Sequence, residues 1–182
     1  MALTVTPGGA SDDALVELAD FQSYCDARGY DYSAYTDDQQ EQAIRRATVW
    51  VEGVGGPTQD LPKRWPGKRA SATQRRQWPR SGAKDVDGLA VPDDAIPAAI
   101  QDAVCEAAFY DLENPDVLHS QITPTDVVKQ EKVDVISVTY ADGSKPADYR
   151  PMLTAVNDLL ASLLIPDLTG PSLYMQSVGK TA

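Results

Sequence analysis

The side chains that most often carry catalysis are scarce in this sequence. Histidine occurs once, as His119, and cysteine twice, as Cys25 and Cys105. A Ser/His or Cys/His nucleophile therefore has one candidate base, and a cluster of histidine ligands cannot be assembled. His119 lies just beyond Asn114-Pro115 and reads as a loop residue. Cys25 and Cys105 each fall within a predicted helix and read as reduced thiols on apolar faces. Asp85, Asp87, Asp93 and Asp94 offer carboxylates, but DVDG alone lacks the ligand count and spacing of a calcium loop. A turn followed by a helix cap suits them better. There is no Gly-x-Gly-x-x-Gly and no Gly-Lys-Ser/Thr, and Gly67-Lys68-Arg69 is too short to cradle a phosphate. The expectation is a protein that is not an enzyme, with no cofactor and no metal.

What the sequence does concentrate is positive charge. Lys63, Arg64, Lys68, Arg69, Arg75, Arg76, Arg80 and Lys84 follow one another with no acidic residue between them, and Trp65 and Trp78 are interleaved. The chain has 16 Lys and Arg against 27 Asp and Glu, a formal net charge of −11. Half of its positive charge thus sits in one short segment, and the remainder is strongly acidic. Three readings compete. In a single-strand nucleic-acid site, the arginines would hold phosphates and the indoles would stack on bases. In a protein interface, the same residues would be aromatic and arginine anchors facing an acidic neighbour. In the third reading, the loop is merely solvated and its tryptophans cover the core. The acidic body favours the protein interface, because in a ring of identical subunits a basic loop can meet the acidic flank of the next copy. The interface candidates are Trp65, Lys68, Arg69, Arg75, Arg76, Trp78 and Arg80, joined by Leu173, Tyr174 and Met175 near the C-terminus.

The elements that must position these residues are mainly helical. At 182 residues and 42% hydrophobic content, the chain is about one domain long with enough apolar side chain for a core. Thirteen prolines and twelve glycines call for loops or extended arms as well. Apolar spacings of three and four predict a helix from Ser11 or slightly later to about Arg28, with Gly29 as its left-handed cap. Thr36 and Gln39 form a capping-box signature for a second helix, which carries Ala43, Ile44, Ala47 and Val51 on one face and ends at Gly53. A third runs from about Ala95 to Glu113, with Asp93 or Asp94 as cap and Pro97 in its first turn. Alternation and β-branched residues over 126–140 predict a small β element, with a phase slip between Val135 and Ile136 that suggests a bulge or two short strands. The fourth helix runs from Asp148 to Leu164. The expected organisation is one mainly α domain over 1–165, a bundle of about four helices. Within it, 1–10 is a flexible arm and 54–95 a long basic loop, and 166–182 forms a C-terminal arm. No apolar run reaches the ~18 residues of a membrane span, and the N-terminus lacks the features of a signal peptide, so cytosolic synthesis is expected.

Taken in order, these residues resemble a known family. VTPGG at 5–9 is followed by Tyr24…Arg28-Gly29, by AIRRAT at 43–48 with Trp50, then by Gly67-Lys68-Arg69…Gln74…Trp78-Pro79-Arg80…Asp87-Gly88…Ile96-Pro97 and by Glu106-Ala107. The series is similar to the small head–tail connector (adaptor, or head-completion) proteins of tailed bacteriophages, whose relatives are also described as putative DnaT-like single-stranded-DNA-binding proteins. The resemblance covers about residues 1–165. It implies a helical bundle with a small β or loop element, made in the host bacterial cytoplasm and residing in the virion neck. There, a ring, usually of twelve copies, would dock beneath the portal, extend the DNA channel and meet the tail or a stopper protein. DNA would pass without tight binding, and no membrane would be involved. Under this reading Trp78 anchors the loop, and Arg80 makes a buried or intersubunit bond to Asp85, Asp87 or an acidic neighbour. The DnaT-like description implies a single-stranded-DNA-binding role instead.

Overall fold

Thr36 closes the capping box that its sequence announces. Its amide donates to Gln39 Oε1 at 2.9 Å, and the Gln39 amide donates back to Thr36 Oγ1 at 3.4 Å, so two orphan amides at the start of a helix are satisfied. The computed structural model describes residues 2–54, 63–115, 117–119, 130–133, 136–139 and 153–166. Along the chain lie α1 (Leu18–Arg28), α2 (Asp37–Val54), β1 (Lys63–Arg64), β2 (Lys68–Arg69), β3 (Arg80–Ser81), α3 (Ala98–Glu113), a short 3-10 turn (Val117–His119), β4 (Gln130–Val133), β5 (Ile136–Thr139), α4 (Thr154–Leu160) and β6 (Ile165–Pro166). The fold is mainly α, with four helices and three small antiparallel strand pairs among the described residues. None of the described helices is long and apolar enough to cross a membrane.

Helices α2 and α3 form the centre, with α1 on one side and α4 against α3. Ala43, Ile44, Ala47 and Val51 of α2 meet Ile100, Val104, Ala107 and Ala108 of α3, all fully buried. Arg46 ties the two helices together through Asp111, whose carboxylate it meets at 2.6–2.7 Å from two nitrogens. Tyr24 of α1 and Tyr30 beyond it both donate to Glu106 of α3, at 2.9 and 3.1 Å, and Tyr30 stacks on Phe109. Val156 and Leu160 bury the inner face of α4.

Several boundaries differ from the sequence expectation. α1 begins at Leu18 and not near Ser11, because Asp12 and Asp13 spend their carboxylates on local backbone amides: Thr6 and Gly9 donate to Asp12, and Thr4 to Asp13. Such side-chain-to-backbone bonds compete with helix formation. Ala14, Leu15 and Val16 are buried all the same, but outside a helix. The expected arm at 1–10 is likewise no arm over residues 2–10. Leu3 and Val5 pack on the core, and the Arg75 amide donates to Gly9 O. α3 starts at Ala98, with Pro97 as N-cap and no side-chain cap, so neither Asp93 nor Asp94 caps it.

α4 stops at Leu160, where the amides of Leu163 and Leu164 both return to its carbonyl, and the chain then enters β6 to pair with β1. Residues 148–152 of the expected fourth helix lie outside the described residues. The β element resolves into a hairpin, β4 with β5, and Val133 faces Ile136 where the phase slip was read. The rest of 126–140, and all of 167–182 with Leu173, Tyr174 and Met175, lie outside the described residues.

Candidate functional site

The basic segment is built around a glutamine. Gln74 is 2% exposed and sits in a stretch with few ladder hydrogen bonds of its own. Its Oε1 accepts from the Ser71 amide at 2.7 Å, and its Nε2 donates to the carbonyls of Arg76 at 2.8 Å and Pro79 at 3.0 Å. A carboxamide has both donors and acceptor, so one side chain bonds three backbone groups of the segment, sharing the Pro79 carbonyl with the Ala70 amide. β2 then pairs with β3, Lys68 opposite Ser81 and Arg69 opposite Arg80, and the segment folds back on itself. The peptide between Trp78 and Pro79 is cis. Just before β2, Gly67 has a φ of +63°, and a Cβ there would lie 2.5 Å from Ser81 O. The backbone comes that close only past a glycine.

Both tryptophans point inward. Trp65 is 3% exposed and Trp78 1%. Their rings meet edge to face with centroids 5.7 Å apart, and Trp65 Nε1 donates to Glu52 O at the end of α2. Neither indole offers a face on which a base could stack.

The arginines divide into two groups. Arg76 is 7% exposed and works as a clasp. Its Nε donates to Asp12 O at 3.1 Å, its Nη2 to Asp13 O at 2.6 Å, and its Nη1 meets Glu52 Oε2 at 3.4 Å. Glu52 also accepts from the Gln77 amide. Burial raises the Glu52 carboxyl above its ordinary value, against the pull of the Gln77 amide and of Arg76. One guanidinium thereby joins the N-terminal segment, α2 and the basic segment. Arg80 donates to the carbonyls of Pro66 at 2.6 Å, Gly67 at 2.9 Å and Gln77 at 3.3 Å. Burial and the neighbouring Arg69 lower it from the usual arginine value.

The expected acceptors, Asp85 and Asp87, play no part in these Arg80 contacts. Asp85 instead accepts from the Asp87 and Leu89 amides and shapes a tight turn at Gly88, whose φ is +82°. The Val86 amide pins this turn to Ser162 O, just beyond α4. Arg64, Lys68, Arg69, Arg75 and Lys84 remain exposed.

Of the residues picked from sequence, Trp65, Arg76, Trp78 and Arg80 thus come together as the interior of the segment, and Lys68, Arg69 and Arg75 form its surface. Sequence reasoning missed Glu52, Asp12 and Asp13 as partners of Arg76. Only Gln74, already in the motif spacing, signalled the buried network. Other chemistry is sparse. Cys25 and Cys105 are buried and unbridged. Burial pushes the Cys25 thiol up to about 11 and raises Cys105 further, which keeps both as unreactive thiols. Among the described residues, no group of three or more His, Cys, Asp or Glu side chains could hold a metal.

The family model described as "Putative DnaT-like ssDNA binding protein" matches residues 1–178, and the chain belongs to that family. No curated protein and no solved structure matches the chain.

Proposed function

We propose that this protein is a structural assembly component, a head–tail connector of a tailed bacteriophage. In this reading it forms a ring, of about twelve copies as in the family it resembles, under the portal in the virion neck. It extends the DNA channel and offers a surface to the tail or a stopper protein. The observation that carries the reading is the inward placement of Trp65 and Trp78, with Arg76 and Arg80 bonded to the chain's own carbonyls. A non-specific single-strand site combines stacking aromatics with a basic groove. Here the aromatics are used in packing, and the net charge of −11 repels a polyanion from most of the surface. An acidic channel wall suits DNA transit without retention. The exposed Lys68, Arg69 and Arg75 then serve protein contacts.

The second reading is a single-stranded-DNA-binding protein. The family description favours it directly, and the exposed cations of the basic segment supply phosphate partners. Sedimentation velocity of the purified protein with a fluorescent single-stranded oligonucleotide at physiological salt separates the two. The connector reading expects the dye to sediment as free DNA and the protein to enter a complex with portal protein. Dye that travels with the protein and leaves it with rising salt, with a slope reflecting several phosphates, overturns that reading in favour of the second.

A further inference from the structure

Two exposed clusters of opposite charge, a basic and an acidic pole, lie at the two ends of α2, although exposed Asp87, Asp93 and Asp94 follow the basic one in sequence. Its 18 residues span about 27 Å. The basic segment is fastened to the C-terminal end, through Trp65 to Glu52 O and through Arg76 and the Gln77 amide to the Glu52 carboxylate. It carries exposed Arg64, Lys68, Arg69, Arg75 and Lys84, and no acidic residue interrupts it between Lys63 and Lys84.

The opposite end gathers acids. α1 lies antiparallel to α2: the Leu15 amide donates to Thr48 Oγ1 near one end, and Gln22 to Gln40 near the other. The C-terminus of α1, the connector and the N-terminus of α2 therefore share one end of the molecule. Asp26, Asp31, Asp37 and Asp38 are all exposed there. The one base in this stretch, Arg28, lies over the Tyr24 ring at 3.7 Å. The length of α2, about 27 Å, is several times the ~8 Å screening length of physiological salt, so the two clusters act as separate surfaces.

We infer that the basic pole of one copy docks on the acidic pole formed by Asp26, Asp31 and Asp37 in a second copy. The contact is heterologous, since the two surfaces differ, so it propagates head to tail and closes into a ring if the rotation allows. Like-signed approaches are repelled, which fixes orientation as well as affinity. This inference rests on the self-assembling reading above and supplies the surface through which assembly would occur. Charge complementarity favours a second copy over nucleic acid, because the matching anionic surface is part of the same chain.

Paired charge reversals test it. Lys68→Glu with Arg75→Glu reverses the basic pole, and Asp26→Lys with Asp37→Lys reverses the acidic one. All four side chains are exposed, so circular dichroism should show a native fold for each variant. In sedimentation velocity at 50 and 500 mM salt, wild-type protein should self-associate at the lower concentration of salt and dissociate at the higher. Each reversal alone should weaken association at least about tenfold, and a chain carrying both should recover it. Wild-type protein that stays monomeric at all concentrations overturns the inference, while the connector reading keeps its own portal test. Association indifferent to both reversals also overturns it, and leaves ring formation through another surface. If Lys68→Glu/Arg75→Glu instead abolishes oligonucleotide binding, the basic pole is a nucleic-acid site and both readings fall.

Discussion

Gly67 and Gly82 belong to the same segment, and both have positive φ, +63° and +66°, yet their surroundings differ. A Cβ at Gly67 would press on the backbone of Ser81 and Ala83, whereas a Cβ at Gly82 would meet nothing within 4 Å. Gly82→Ala should therefore cost only the left-handed penalty, about 1–2 kcal/mol. Gly67→Ala should cost clearly more, since the backbone at Ser81 and Ala83 must also give way, and urea denaturation midpoints of the two variants provide the comparison. Arg75 and Arg76 give a second contrast between neighbours. Arg76→Met takes the charge partner from the largely buried Glu52 carboxylate, leaving it the Gln77 amide, and should lose about 3–5 kcal/mol. Arg75→Met removes an exposed side chain and should stay within about 0.5 kcal/mol of wild type. Equal effects at the two positions would contradict the buried-clasp assignment.

At the scale of elements, the N-terminal segment behaves as part of the core. Asp13 holds it to α2 through Arg45 Nε at 2.6 Å and accepts from the Thr4 amide. Burial alone would raise the Asp13 carboxyl, but the Arg45 hydrogen bond, the Thr4 amide and the Arg45 charge together lower it below the ordinary 3.8. A lowered folded value means that the ionised form is favoured in the native state. The resulting stability is present above pH 3.8 and is lost as pH falls through the lower folded value. Asp13→Asn should therefore show a shallower loss of stability than wild type below pH 4 in denaturant titrations across pH. The raised Glu52 carboxyl acts with opposite sign and is common to both proteins, so the difference isolates Asp13. In the basic segment, Trp78→Ala should cost about 3–5 kcal/mol by emptying a site shared with Trp65. An unchanged denaturation midpoint would show that the indole does not hold the segment in place.

At the scale of the whole molecule, truncation distinguishes body from extension. Removing residues 2–13 deletes the carbonyls that receive Arg76 and should unfold the protein, seen as loss of a cooperative thermal transition. Removing 167–182 keeps both strands of the β1–β6 pair, and if these residues form the arm expected from sequence, the melting temperature should stay unchanged. In the connector reading, the shortened chain should enter phage particles poorly. Normal incorporation would show that the apolar residues Leu173, Tyr174 and Met175 have no role in docking.

Local chemistry made part of this protein legible from sequence alone. Thr36 and Gln39 cap α2 through bonds that span three residues, and the apolar stripes of α2 and α3 follow a period set by the helix itself. Segregation of charge was equally visible, because it needs only counting. Other features were settled by contacts between residues distant in sequence. Arg76 reaches carbonyls more than sixty positions away, and Trp65 and Trp78 turn inward because the end of α2 and the core receive them. From spacing alone, an interleaved Arg/Trp series reads equally as a ligand surface or as the inside of a folded loop. The tertiary structure decided for the inside at Trp65, Trp78, Arg76 and Arg80, where backbone carbonyls, and for Arg76 the Glu52 carboxylate, accept from the guanidiniums and offset their desolvation. It left Lys68, Arg69 and Arg75 outside, where their charge is available to a partner.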